Sequence, residues 1–70
     1  MKLRKYVETE VKRRGVYKTQ VLKELATKSG VSLLTLQNVE RGATMQAYPK
    51  AKSVSEATGG KVRVQDLCEA

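Results

Sequence analysis

The residues of this chain best suited to chemistry lie between positions 32 and 41, and that chemistry is hydrogen bonding rather than bond breaking. Gln37 and Asn38 each carry an amide that both donates and accepts, the combination needed to address adenine or a mixed base edge. Arg41 can reach a guanine or a phosphate, and Ser32 and Thr35 offer hydroxyls to a phosphate or a base. Leu33 and Leu34 add apolar groups of the kind that meets thymine methyls. Leu33 is expected on the surface, whereas Leu34 fits either the surface or a core position against a later helix. If Leu36 and Val39 face inward, the outward set is Leu33, Leu34, Gln37, Asn38 and Arg41. Glu40 suits charge pairing within the protein better than contact with a base.

Such a set needs a short helix held at a fixed angle, and the residues from Leu25 to Gly42 are placed to supply one. Ala26 permits close helix contact, and Gly30 sits where a sharp turn calls for positive φ. Val31 plugs the corner, Ser32 is placed to cap the next helix, and Gly42 offers a stop. In this order and spacing, Ala26, Gly30, Val31, Ser32, Leu36, Val39 and Glu40-Arg41-Gly42 resemble the helix-turn-helix domains of phage Cro and CI repressors and their bacterial relatives. Two positions depart from the family pattern. Leu22 stands where the first motif helix often carries a phosphate-touching glutamine, with Gln20 two residues earlier, and Ser29 precedes the turn glycine where an apolar residue is usual.

The rest of the chain reads as support for that motif, which spans about 19–42 of a single domain over 1–70. From Lys2 to Arg14, Leu3, Tyr6, Val7 and Val11 recur at helical spacing, and Gly15 ends the run. Lys12, Arg13 and Arg14 then suit either the negative end of the helix dipole or a phosphate. A second helix is expected after a Thr19 cap and to about Lys28, with Leu22, Leu25, Ala26 and Ser29 on one face. Pro49 fits the first turn of a fourth helix in which Tyr48, Ala51, Val54 and Ala57 close the core, and Gly59-Gly60 ends it. The tail from Ala57 to Leu67 resembles the end of small Cro-type and antitoxin-type regulators, with a short final helix anchored by Val62 and Leu67. The alternation of Val62 and Val64 with Lys61, Arg63 and Gln65 would also suit a short strand; helix is the preferred reading. The fold class expected is all-α, a compact lambda repressor-like domain of four to five helices.

Composition narrows the partners. Fourteen Lys and Arg against seven Asp and Glu give a formal charge of +7, which favours a polyanion. The acidic residues Asp66 and Glu69 lie away from the basic N-terminal third. One cysteine rules out an intramolecular disulfide, and with no histidine the usual Cys/His metal cluster is absent. No secretory signal, bilayer-length apolar run, phosphate loop or nucleophile-base pair is present. A cytoplasmic protein with no cofactor, no metal, no membrane partner, no small-molecule substrate and no enzymatic activity is therefore expected.

The resemblance implies a repressor, of phage or prophage type, that binds a palindromic double-stranded DNA operator as a homodimer. The base-reading set would be Ser32, Leu33, Leu34, Gln37, Asn38 and Arg41. Lys18, Thr19, Gln20, Lys23, Lys28, Thr35, Lys50 and Lys52 would meet phosphates, and Val64, Leu67 and Cys68 would join the protomers. Cys68 reads as a small buried hydrophobe rather than a redox sensor. The alternative is an antitoxin-type protein-interaction module whose basic surface neutralises an acidic partner, with incidental DNA binding; single-strand binding through the three tyrosines is a third.

Overall fold

A computed structural model describes residues 1–68 and shows, among them, five helices and no strand. These are α1 (Leu3–Arg14), α2 (Lys18–Ser29), α3 (Leu33–Glu40), α4 (Tyr48–Ala57) and α5 (Val64–Cys68). The all-α expectation holds, and the tail is helical rather than extended. Its helix begins with half of a capping box: Asp66 reaches back so that the Arg63 amide donates to Oδ2 at 3.1 Å. The same carboxylate accepts the Met1 amino group at 2.9 Å, and that ammonium, followed by the Arg63 amide, holds the carboxyl below its ordinary range. Val62 and Leu67 are both wholly buried, as anchors of the tail should be. Glu69 lies outside the described residues.

α2 is the central element, packed against α4, α1 and α3, with α5 closing over α4. The core draws Leu3 and Val7 from α1, Val21, Leu22 and Leu25 from α2, Leu36 and Val39 from α3, and Ala51 and Val54 from α4. Tyr6 and Val11 pack against it half-buried, completing the α1 stripe. α2 starts earlier than expected, because Tyr17 is the N-cap residue and its carbonyl accepts from the amides of Gln20 and Val21. Thr19 is therefore an exposed residue of the first turn, not a cap. Val21 joins the buried face, while Ala26 and Ser29 are half-buried at its margin.

Tyr48 does not close the core; it is 61% exposed. On an α-helix it lies roughly a quarter-turn off the line through Ala51, Val54 and Thr58 that faces inward. From the preceding loop Met45 joins the core instead; it is buried, and its amide donates to the Leu67 carbonyl at 2.7 Å. That bond ties the loop after α3 to the tail.

The end of α1 carries a polar arrangement that periodicity does not reveal. Glu10 is a buried charged residue, and Arg13 grips it through two bonds, Nε at 2.8 Å and a terminal nitrogen at 3.0 Å. The Arg13 bonds, the largest influence, hold the Glu10 carboxyl below its ordinary value against the opposing effect of burial. Burial and then the Glu10 charge push the Tyr6 phenol up. Arg14 reaches Glu24 of α2 through a single terminal nitrogen, which donates to both carboxylate oxygens, at 2.7 and 3.0 Å.

Candidate nucleic-acid interface

α3 is short, and its position depends on fastenings at each end. Before it, Gly30 adopts φ 72°, and its amide donates to the Ala26 carbonyl. A Cβ there would meet no atom within 4 Å, so glycine is required by the left-handed backbone and not by crowding. Ser29 precedes the turn glycine, and its hydroxyl is satisfied locally. It donates to the Leu25 carbonyl at 2.7 Å and accepts the Val31 amide at 3.3 Å. Ser32 then caps α3 as its sequence position suggested, accepting from the Thr35 amide at 3.2 Å. The Ser32 and Thr35 hydroxyls also share a bond of 2.8 Å.

The far end is closed by a Schellman arrangement. Gly42 at φ 118° donates to the Val39 carbonyl, and the Ala43 amide reaches the Asn38 carbonyl at 2.9 Å. Two residues before Gly42, Glu40 pairs with Lys18 at 3.3 Å, joining the end of α3 to the start of α2. Glu40 thus has the charge-pairing role read from its sequence position, and Lys18, proposed as a phosphate contact, spends one of its three donors on it. With the lysine well exposed, the pair adds only modestly to stability.

With Leu36 and Val39 buried, Leu34, Gln37, Asn38 and Arg41 fall on the opposite stripe at intervals of three and four. Leu34 is 65% exposed, Asn38 and Arg41 are exposed, and Gln37 is half-buried. The polar side chains of Gln37, Asn38 and Arg41 have no hydrogen-bond or ionic partner among the described residues. Ser32 is exposed and Thr35 half-buried at the helix start. Leu33 departs from its expected place: it is half-buried and packs against the core, because it sits one turn before Leu36 on the inward side.

The expected phosphate contacts are distributed over three helices. Thr19 and Gln20 lie exposed in the first turn of α2, whose N-terminus lacks a side-chain cap. Lys23 and Lys28 share the outer face of α2 with Glu24 and Thr27, while Lys50 and Lys52 are exposed on α4. A cleft between the start of α1, the end of α3 and Asp66 brings Lys2 and Arg4 beside Arg41. Sequence reasoning missed Lys2 and Arg4 as neighbours of the motif, and the sole signal was the basic run MKLRKY. Of the expected dimer contacts, Leu67 is corrected: it is wholly buried in its own protomer's core and presents no surface to a partner. Val64 and Cys68 are half-buried and pack against the same core, which leaves part of each accessible.

Among the described residues, no group of His, Cys, Asp and Glu side chains is arranged to hold a metal ion. No helix among them is long and apolar enough to cross a membrane. Set against protein-family models, curated proteins and solved structures, the chain finds no match.

Proposed function

We propose that this chain is a sequence-specific, double-stranded DNA-binding transcriptional regulator of the Cro-like repressor kind. The observation that carries the reading is the outward stripe of α3. An apolar group, two amides and a guanidinium without partners among the described residues stand on a helix fastened at both ends, in a chain of charge +7. A single α-helix fits the major groove, where base edges display donors, acceptors and methyl groups. Gln37 and Asn38 address base edges, Arg41 a guanine or a phosphate, and the exposed lysines and the open start of α2 supply phosphate contacts.

One domain of this size covers a few base pairs, so useful affinity calls for a homodimer on two half-sites about one helical turn apart. Val64 and Cys68 keep some surface for such a contact. Repression follows if the bound dimer excludes polymerase from a promoter, a step that rests on resemblance to the Cro and CI family.

The test is selection of bound duplexes from a random double-stranded library, followed by salt titration on the enriched sequence and a scrambled control. Enrichment of an approximate palindrome, bound more tightly than the control at each salt concentration, is the expected result. Salt-sensitive binding with no enriched sequence would overturn the reading and favour a protein-interaction module with incidental DNA affinity.

A further inference from the structure

The two adjacent leucines at the start of α3 have different surroundings. Leu33 packs against the core, whereas Leu34 is 65% exposed on the stripe shared with Gln37, Asn38 and Arg41. Removing Leu34 from the core leaves an apolar side chain whose hydration is unfavourable and which contributes little packing to the fold. A single exposed leucine is ordinary on a protein surface. This one, however, stands among amides and a guanidinium that have no partner among the described residues, on a strongly cationic chain. That mixture matches the major groove, where polar edges alternate with the pyrimidine C5 position.

Resting on the reading of α3 as the groove-facing helix, we infer that Leu34 contacts the 5-methyl group of a pyrimidine. Leucine has no donor or acceptor, so it senses the methyl and is indifferent to whether position 4 of the ring carries oxygen or an amino group. Thymine and 5-methylcytosine present their methyls at the same place in the groove. Leu34 therefore makes binding responsive to cytosine methylation wherever that base lies beneath it.

The experiment uses the duplex enriched by selection. Each thymine is replaced in turn by uracil, which removes the methyl alone. In a parallel series each T·A pair is replaced by C·G and by 5-methylcytosine·G. At one position in each half-site, uracil is expected to weaken binding about fourfold, the value of one buried methyl, and 5-methylcytosine to bind about fourfold more tightly than cytosine.

Both ratios should fall to about one in Leu34→Ala, which changes an exposed residue and should keep the wild-type thermal transition. Ratios of one at every position in the wild-type protein, or ratios that survive in Leu34→Ala, would overturn the assignment while leaving sequence-specific binding in place. If no duplex is enriched at all, the reading of α3 fails and the inference falls with it.

Discussion

The end of α1 and the outward stripe of α3 both display arginine, yet their side chains are in opposite situations. Arg13 and Arg14 are each held by a carboxylate through two bonds, from Glu10 within the helix and from Glu24 on α2. Arg41, with Gln37 and Asn38, has no such partner among the described residues. A basic run in the sequence is therefore a poor guide to a binding surface. Cations matched by neighbouring carboxylates serve the fold, and polar groups left unmatched on a rigid element are the ones available to a ligand.

The sharpest separation between residues that serve the fold and residues that face outward should come from leucines. Leu67→Ala is expected to cost about 2–5 kcal/mol of unfolding free energy, read from urea denaturation, because it opens a cavity in the core. Leu34→Ala should stay within about 0.5 kcal/mol of wild type in the same measurement. If Leu67→Ala instead left stability intact and only dissociated a dimer, its burial in the protomer would be refuted.

Next in size is the loss of base reading. Replacing Gln37 and Asn38 by alanine should lower the ratio of specific to scrambled binding by roughly 1–3 kcal/mol for each well-made contact, measured by competition, without moving the thermal midpoint. Arg13→Gln is expected to leave that ratio unchanged, and a comparable drop there would erase the contrast between α1 and α3. The turn before α3 should respond more mildly. Gly30→Ala places a side chain at φ 72° with no atom to clash against, so a loss of about 1 kcal/mol is expected from backbone strain alone.

The smallest effect is on the α1 side and depends on pH. The folded-state carboxyl of Glu10 titrates below its ordinary 4.5, so its contribution is fully present above that value and is lost as pH falls through the folded pKa. Denaturant midpoints measured between neutral and acidic pH should therefore fall less steeply in Glu10→Gln than in wild type. An identical acid profile for the two proteins would show that the grip of Arg13 on Glu10 contributes nothing measurable.

Much of the fold was legible because its signals are local. The apolar stripe of α1, the Gly30 turn, the Ser32 cap and the Pro49 start of α4 each lie in a few consecutive residues. What escaped was set by partners distant in sequence. Nothing in the spacing shows that Met45, in a loop without period, is a core residue while Tyr48 is exposed. The amphipathic pattern marks Glu10 as polar and is silent on its burial, since only the assembled fold places the residue against the core. At the candidate site, the outward placement of Gln37, Asn38 and Arg41 followed from Leu36 and Val39. The division between Leu33 and Leu34 is a matter of one turn's orientation, which apolar character alone could not decide.

The brevity of α3 ties recognition to the survival of the whole domain. Eight residues do not sustain an α-helix in water by themselves, so the outward surface of α3, proposed to enter the groove, exists only while the core beneath Leu36 and Val39 persists. A ligand that binds this surface and not the unfolded chain must raise the melting temperature in proportion to the logarithm of its free concentration above its Kd. For a domain of 70 residues, where burial alone gives a narrow margin, the bound duplex would then act as a folding partner, and occupancy would protect the protein from proteolysis.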